Sequence, residues 1–400
     1  MTDGDMPALR RVDDWAFGVT SSQRRWEVGT AMLERERQLG AFVGRDLAGH
    51  AAALTMSLSV PGGTVPAAGV TWVMVSPRHR RRGVLSALMD RQLQDLRDDG
   101  EPVAVLWASE PGIYPRFGYG LGSRRVSVDV ARAHAGMRPV AGGSATLVLG
   151  DVADLLPQCR DAYDEVRARV PGMVTRSAGC WSQSSFDDPD RRGDGSALRC
   201  ALAVGTSGEP RGFAWFQTQV QWSSGSPEGP VEVREIVADS PAATRTLLGH
   251  LLDVDLTSRC TIDNLPLDHP LLTWLNDPRR ARPVLADGLW VRLVRVDEAL
   301  AARTYAASVD VVIELSDDRC PWNSGRWRLA ADATGCEIAR TPDPADLTLD
   351  VRDLAGGYLG DDHLGRAVVA GLVEEHTAGS ARALARAMLG ERPPWCSFVF

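Results

Sequence analysis

A short basic loop is the segment of the sequence best equipped to bind a ligand. It reads RHRRRG at residues 78–83 and lies between an apolar run, residues 69–75, and a helical pattern, residues 83–97. A helix N-terminus presents unpaired backbone N–H groups and the positive end of the helix dipole. The glycine lets phosphate oxygens approach the main chain, and the arginines offer charge-assisted hydrogen bonds. The loop therefore predicts a pyrophosphate site, and a solvated basic loop is the alternative.

The elements around this loop would place it at the end of a strand. Branched and aromatic residues bounded by turn formers predict strands at residues 40–43, 49–60 and 69–75, with a turn at residues 61–63. After the helix, residues 102–108 form a continuous apolar run that is typical of a buried strand. The predicted order is strand, basic loop, helix and strand.

An aromatic turn follows the buried strand, with the sequence SEPGIYPRFGYG at residues 109–120. The sequence here resembles the GNAT superfamily of acetyltransferases, which combines a strand, an R-x-x-G-x-A/G loop for the CoA pyrophosphate, a helix, a strand and a Y-x-x-x-G-F-like turn. The corresponding strings are RRRGVL at residues 80–85 and YPRFGY at residues 114–119, with departures at Leu85 and Tyr119. Those departures, the length of 400 residues and the string ASEPGIYPRFGYG are similar to one branch, the enhanced intracellular survival (Eis) family.

The resemblance implies an α/β (α+β) architecture in three domains. Two tandem GNAT-like domains, the second of them degenerate, are followed by a sterol-carrier-protein-like α+β domain, and we expect them at residues 1–137, 138–288 and 289–400. The residues agree, because a second α/β stretch at 142–287 repeats the order of strand, loop and helix. Its loop has lost the glycine and most of the arginines, so we do not expect this copy to bind CoA.

The last stretch of the chain reads as an α+β module with an apolar end. Alternating apolar and polar residues predict strands with one exposed face at residues 309–315, 325–329 and 345–351. Helices are predicted around residues 354–359 and 380–389.

The resemblance also implies acetyl-CoA as the cosubstrate and assigns residues to it. Strand residues contact the acetyl-CoA arm through backbone groups, the loop and the first helical turn hold the pyrophosphate, and two residues after the buried strand line the cofactor. In that order these are Val73, Met74 and Val75; Arg81, Arg82, Gly83, Val84, Leu85 and Ser86; and Ser109 and Glu110. Backbone donors where the strand ends would stabilise the oxyanion formed as the amine attacks.

Tyr114 is the residue that we expect to act as general acid. A phenol with an ordinary pKa of ~10 can protonate a departing CoA thiolate, whose acid has a pKa near ~8.5. The alternative is that Tyr114 only packs its ring over the cofactor. No cysteine lies near the motif, which favours direct attack over a covalent acetyl-enzyme.

The resemblance gives the role of general base to the carboxylate of the last residue, here Phe400. A protonated amine must lose a proton before it attacks, so a base is required. A terminal carboxylate has an ordinary pKa of ~3.5 and serves as a base only if desolvation raises that value. The apolar ending at residues 398–400 suits insertion into a cleft. A buried C-terminal strand without chemistry is the alternative.

The composition argues against several other classes of function. A formal net charge of −8 argues against a nucleic-acid binder and suits a cationic substrate. The seven cysteines form no C-x-x-C pair and no histidine lies at metal-ligand spacing, so we expect reduced, mostly buried cysteines and no metal. Residues 1–11 do not read as a secretory signal and no apolar run is long enough to cross a membrane, which predicts a cytoplasmic protein without a membrane partner.

The acceptor is the part of the function that the motif does not determine. The resemblance suggests aminoglycosides and related polyamines, and a homohexameric assembly. Trp15, Trp26 and Trp72 are candidates to line the acceptor cleft or to pack in the core. Asp14 and Glu27 are candidate contacts for a cationic amine or ordinary surface charges. A protein-lysine or peptide N-acetyltransferase remains an alternative, as does a lipid-binding protein that uses the C-terminal domain.

Overall fold

The secondary structure is taken from a computed structural model, which describes residues 1–139 and 145–400. The predicted start of the second α/β stretch, Gly142, lies outside the described residues. The helices are α1 (Met6–Phe17), α2 (Gln23–Thr30), α3 (Val84–Asp98), α4 (Val152–Arg167), α5 (Ala178–Ser185), α6 (Pro189–Arg192), α7 (Pro241–Leu251), α8 (Leu271–Trp274), α9 (Val296–Ala301), α10 (Val351–Gly357), α11 (His363–Val369) and α12 (Ser380–Ala387).

The strands in the same residues are β1 (Gln38–Val43), β2 (Asp46–Val60), β3 (Gly63–Val75), β4 (Val103–Trp107), β5 (Gly120–Leu121), β6 (Arg124–Ala131), β7 (Thr146–Asp151), β8 (Arg199–Val204), β9 (Pro210–Thr218), β10 (Trp222–Ser223), β11 (Ser226–Pro227), β12 (Pro230–Ala238), β13 (Arg259–Leu265), β14 (Val284–Asp287), β15 (Leu289–Leu293), β16 (Val309–Ser316), β17 (Gly325–Asp332), β18 (Gly335–Arg340), β19 (Leu347–Asp350) and β20 (Glu374–Glu375).

Three larger sheets organise these strands. The first has the order β1-β2-β3-β4-β15-β5, the second β14-β6-β13-β12-β9-β8-β7, and the third β18-β17-β16-β19-β20. Strand β15 follows the strands of the second sheet in sequence but pairs with β4 and β5 of the first sheet. Strand β6 follows β5 of the first sheet in sequence but pairs with β13 and β14 of the second sheet. The first two sheets are therefore connected by strands that cross between them. The domain boundaries at 137/138 and 288/289 stay predictions.

The same strand–helix–strand unit occurs in both of these sheets. In the first, β3 and β4 are parallel and α3 connects them; in the second, β12 and β13 are parallel and α7 connects them. Helix α3 packs on its sheet through Leu88, Met89, Leu93 and Leu96, which recur with helical periodicity. The predicted helix at residues 83–97 and the predicted turn after β2 are confirmed.

The third sheet and four helices form the C-terminal module. Strands β16, β17 and β19 coincide with the three predicted strands, and α10 and α12 with the two predicted helices. Helix α11 was not predicted. Residues 391–400 run without regular secondary structure, so the C-terminal segment is not a strand.

A buried ion pair joins the C-terminal module to the first sheet. Arg292 of β15 and Asp317, which follows β16, are both almost fully buried, and Arg292 Nη2 donates to both Asp317 carboxylate oxygens at 2.7 and 2.8 Å. Asp317 also accepts from the Cys320 backbone N–H at 2.9 Å and from Asn323 Nδ2 at 3.0 Å. This network compensates the cost of removing both charges from water.

We expect Asp317→Ala to lower the free energy of unfolding by about 3–5 kcal/mol, because it leaves the Arg292 guanidinium buried without its partner. Urea denaturation measures the change. Asp310→Ala is the matched control, since it breaks the exposed Arg328–Asp310 pair and should change stability little. Equal effects of the two substitutions would contradict a stabilising role for the buried network.

Candidate active site

The neighbouring strands β3 and β4 of the first sheet diverge where the candidate site begins. The parallel pairing of β3 with β4 runs from Ala67 opposite Val103 to Gly69 opposite Val105 and then stops, although β3 continues to Val75. Beyond Gly69 the edge of β3 that faced β4 is available to other groups. Strands β3 and β4 therefore diverge beyond this point.

A bulge in β3 lies within the diverging segment. The register of β3 with β2 shifts between His50 and Ala52, and Trp72 has a φ of 51°, which is rare for a residue with a side chain. His50 Nδ1 donates to the Trp72 carbonyl oxygen at 2.9 Å. Burial lowers the pKa of His50 to about 4, so its ring is neutral at physiological pH. A neutral, buried ring thus holds the backbone immediately before Val73.

The first of two adjoining clefts, here the loop cleft, lies between β3 and the basic loop. It has a volume of about 570 Å³ and brings together ten of the eleven residues predicted for the cofactor. They are Val73, Met74, Val75, Arg81, Gly83, Val84, Leu85, Ser86, Ser109 and Glu110. Arg82 is the exception, because it lies outside the lining with Nη1 3.2 Å from His79 Nδ1.

The basic loop ends in a geometry that suits an anion. Arg81 and Gly83 both have positive φ angles, 61° and 80°, and Gly83 precedes α3 without any side-chain cap. The first N–H groups of a helix have no partner within the helix, and those of Val84, Leu85 and Ser86 belong to residues that line the cleft. These groups fit a pyrophosphate, and Arg80 and Arg116 add further positive charge to the lining.

The N-terminus of α7, the corresponding helix in the second sheet, is capped by a side chain. Ser240 precedes α7, and its hydroxyl accepts a hydrogen bond from the Ala243 N–H at 3.4 Å. No residue of this loop lines either of the two clefts. The contrast with the uncapped start of α3 supports the expectation that only the first copy binds CoA.

Tyr114 begins a short 3₁₀ turn, Tyr114–Phe117, at the end of the loop cleft. It is buried, and its hydroxyl forms no hydrogen bond with any described residue. Burial, with a smaller contribution from the charge of Glu110, raises the pKa of Tyr114 to about 12. Gly118 follows with a φ of 80°, and a Cβ there would meet the Arg292 guanidinium at 2.8 Å, so only glycine fits. Tyr119 is fully buried beside Tyr114, with ring centroids 5.8 Å apart.

The second cleft, here the wide cleft, has a volume of about 960 Å³. It shares Phe17, Val73, Ser109 and Tyr114 with the loop cleft. Its other walls come from α1, α2, β9, β12, the segment around α5 and α6, and the end of the chain, including Phe400. The two clefts therefore meet at Tyr114, and only the loop cleft is lined by the basic loop.

The C-terminal segment is anchored in the fork between β3 and β4. Trp107 Nε1 at the end of β4 donates to the Phe398 carbonyl at 2.8 Å. Asn264 of β13 donates to the Cys396 carbonyl at 2.9 Å. A Cβ at Gly69 would lie 3.2 Å from the Phe400 ring, so that ring sits where the two strands begin to diverge.

Arg176 holds the same segment from the second GNAT-like region. Its fully buried guanidinium forms an ion pair with Glu235 of β12 and donates to Ser397 Oγ at 3.0 Å. The guanidinium carbon also lies 4.7 Å from the ring centroid of Phe398. Aromatic contacts and the carboxylate together compensate the burial of this charge.

Several residues that line the wide cleft were not predicted, and some that were predicted do not line it. Trp26 and Trp72 line the cleft, but Trp15 is 75% exposed on the surface. Asp14 and Glu27 do not line it. The carboxylates that do are Asp13, Asp187, Asp188 and Glu235. Leu9 and Val12 are the buried residues of α1, and this orientation of the helix places Asp13, and not Asp14, in the cleft. No local sequence pattern marks the other three carboxylates as cleft residues.

The described residues hold no group of three or more His, Cys, Asp or Glu side chains placed to bind a metal ion. Across residues 1–139 and 145–400, no helix is long and apolar enough to cross a membrane. The seven cysteines are free, and all except Cys336 are buried, as predicted.

Three protein-family models match the chain. One described as an acetyltransferase (GNAT) domain matches residues 1–122, and another with the same description matches residues 172–296. A model described as a sterol carrier protein domain matches residues 296–397. These matches confirm the predicted fold class, with two GNAT-type domains followed by a sterol-carrier-protein-like domain.

Whole-chain similarities point the same way. An uncharacterized N-acetyltransferase from Streptomyces avermitilis is 41% identical, covering 99% of both chains. The N-acetyltransferase Eis of Mycobacterium tuberculosis is 32% identical over 90% of this chain and 88% of its own. The crystal structure of Eis1 from Mycobacterium abscessus matches with 33% identity and a TM-score of 0.85, covering 100% of this chain and 98% of that chain.

The contacts of Arg176 predict that Arg176→Met loosens the C-terminal segment, because both the ion pair and the bond to Ser397 are lost. Carboxypeptidase should remove Phe400 faster from this variant than from the wild type. Arg169→Met, which breaks only the exposed Arg169–Glu165 pair, is the matched control. Ser397→Ala removes the single hydrogen bond and should have an intermediate effect. Release of Phe400 at the wild-type rate from both test variants would refute the anchoring role.

Proposed function

The chain belongs to the Eis family of GNAT N-acetyltransferases, and on that premise we propose that it transfers the acetyl group of acetyl-CoA to an amine bound in the wide cleft. The observation that carries the proposal is the meeting of the two clefts at Tyr114, with Phe400 in the wall of the wide cleft. Cofactor, acid, base and acceptor would then share one junction.

The residues of the loop cleft would hold acetyl-CoA. The free N–H groups of the first turn of α3 and the Arg81 guanidinium would bind its pyrophosphate, and Val73 to Val75 would bind its arm through the backbone. Arg82, Ser109 and Glu110 complete the proposed set, with Arg82 acting from outside the lining. The N–H groups at the bulge beside Trp72 are the proposed donors to the oxyanion.

Tyr114 is the proposed general acid. With a pKa near 12, its phenol stays protonated throughout the physiological range and can donate its proton to the departing sulfur. Solvent in the wide cleft can then reprotonate it. Burial makes the transfer less favourable than for a free phenol, but it also keeps the hydroxyl from ionising before the acetyl group has moved.

The terminal carboxylate of Phe400 is the proposed general base. The contacts of Trp107, Asn264 and Arg176 fix the segment that carries it, and the Phe398 and Phe400 rings, 5.5 Å apart, provide an apolar setting. In the wide cleft this carboxylate would accept a proton from the ammonium group of a bound acceptor.

The acceptor class that we propose is the aminoglycosides and related polyamines. Asp13 and Asp188 line the wide cleft without a cationic ion-pair partner in the described part of the chain, and the terminal carboxylate adds a third negative charge. Burial, together with the charge of Asp14, raises the pKa of Asp13 to about 6, so its carboxylate is ionised above that pH. These groups can bind the ammonium groups of such an acceptor.

The alternatives are weighed by the same observations. A protein-lysine or peptide acceptor would use the same junction, and thiol release with kanamycin distinguishes an aminoglycoside acceptor from it. A lipid carrier would need an apolar interior in the C-terminal module, yet the buried Arg303 there donates to the Gly357 and Met388 carbonyls at 3.3 and 2.6 Å. Acetyl transfer is therefore favoured. The two domain boundaries, a homohexamer and a cytoplasmic location stay predictions.

We expect the protein to release CoA thiol when mixed with acetyl-CoA and kanamycin, and Tyr114→Phe to lower kcat by about 10²- to 10⁴-fold, because the phenolic proton is lost while the ring remains. Thiol release in a steady-state assay measures both. Because the pKa of Tyr114 is near 12, the wild-type kcat should not fall between pH 8 and about pH 10 through ionisation of this group.

Acetyl-CoA binding by Tyr114→Phe is the control, and a dissociation constant near that of the wild type would place the defect in the chemical step. The absence of thiol release with any aminoglycoside would contradict the proposed acceptor class. A Tyr114→Phe variant with the wild-type kcat would contradict the proposed acid.

Two glycines appended after Phe400 should abolish most of the turnover and leave acetyl-CoA binding unchanged, because they displace the terminal carboxylate without altering the loop cleft. The same two residues placed before Met1 are the matched control. Native turnover with the C-terminal extension would exclude the terminal carboxylate as the base.

A further inference from the structure

We infer that the wide cleft can bind a carboxylate between Arg25 of α2 and Arg234 of β12, so that, beside the polyamines proposed above, it favours an amine that carries a carboxylate over the same amine without one. This rests on the proposed acetyl transfer in the same cleft, but the anion site itself depends only on the arrangement of charges around it.

The charges that line the cleft are mixed, which a polyamine acceptor alone does not explain. Four arginines stand among the lining residues: Arg25, Arg125, Arg192 and Arg234. Arg192 is paired with Asp187, and the lining carboxylate Glu235 is paired with Arg176 behind the wall. In the described part of the chain the other three arginines form no ion pair with a carboxylate. A cleft built only for polycations would not retain guanidinium groups that form no ion pair.

Arg25 is free to bind a ligand. Its backbone N–H donates to Ser22 Oγ, but its guanidinium forms no hydrogen bond or ion pair with any group in residues 1–139 and 145–400. Asp13 lies near enough for the guanidinium to oppose the rise in the Asp13 pKa, although the two form no ion pair. Arg25 therefore has all of its side-chain donors available.

Arg234 is oriented by two hydrogen bonds and keeps further guanidinium N–H groups available for a ligand. Its Nη1 donates to the Phe186 carbonyl at 2.6 Å and its Nη2 approaches Gln217 Oε1 at 3.4 Å. A guanidinium has five N–H groups, so these bonds orient it and leave others unused. Burial lowers the pKa of Arg234, the nearby carboxylates of Asp187 and Glu235 oppose this change, and the charge of Arg25 adds to it, so Arg25 and Arg234 lie close enough to interact.

Two neighbouring guanidinium groups that form no ion pair with a carboxylate are suited to an anion. A planar fork of N–H donors matches a carboxylate and forms paired, charge-assisted hydrogen bonds with it. Arg25 and Arg234 come from the first and second GNAT-like regions, so the bound carboxylate would lie between them. The amine of the same acceptor would remain near Asp13 and the junction at Tyr114.

Lysine and cadaverine test this, because they share the same carbon chain and two amines and differ only in the carboxylate. We expect kcat/KM with acetyl-CoA to favour lysine over cadaverine by about tenfold or more, as charge-assisted hydrogen bonds are strong. Arg25→Gln and Arg234→Gln should each bring this ratio toward one. Arg382→Gln, the same change at an exposed arginine of α12, is the control and should keep the wild-type ratio.

Calorimetric titration with each compound separates this inference from the proposed function. Tighter binding of lysine than of cadaverine, with no acetyl transfer to any amine, would overturn the proposed function and keep the anion site. Equal binding of the two compounds by the wild type would overturn the anion site. A lysine preference that persists in both arginine variants would also overturn it.

Discussion

The parting of β3 from β4 is the constraint on which the rest of the structure depends. The two strands pair through only three residues, ending at Gly69 and Val105, and everything beyond is a fork with unpaired backbone on its inner edges. Buried backbone groups must find partners, so a fork of this kind is stable only if other groups or solvent fill it. Here one side opens to the loop cleft and the other receives the C-terminal segment, which the Trp107 indole holds at Phe398.

Filling the fork with the end of the chain requires the three parts of the molecule to be fixed relative to one another, and buried arginines do this at two joints. Arg176 ties the second GNAT-like region to the C-terminal segment through Ser397. Arg292 ties β15 to the C-terminal module through Asp317 and packs against Gly118 of the Tyr114 turn. A buried guanidinium is costly unless each partner is in place, so these joints favour one arrangement of the modules over others. The geometry around Tyr114 and Phe400 is thus set by contacts distant from both.

The parts of the site that the sequence predicted well are those with a local cause. The uncapped start of α3 follows from a glycine at the end of a basic loop, and the Tyr114 turn follows from Pro and Gly around aromatic residues. Helix α11, by contrast, is short, and the bulge at Trp72 depends on a histidine buried in the neighbouring strand. The wide cleft was beyond prediction because its walls converge from distant segments: Trp107 and Phe398 are 291 positions apart. Even adjacent residues such as Asp13 and Asp14 differ in role only through the rotation of α1.

The net charge of the chain indicates only part of what the acceptor cleft contains. A charge of −8 suits a cationic ligand, and unpaired carboxylates do line the wide cleft. Yet several arginines stand beside them, and their effect on a ligand is governed by distances of a few ångströms, whereas the remaining surface charges act through screened solvent. The field inside a cleft is therefore a property of its lining and not of the whole sequence. Because the cofactor loop belongs to one region and the charged lining to several, binding of the acetyl donor and choice of the acceptor can diverge independently within one fold.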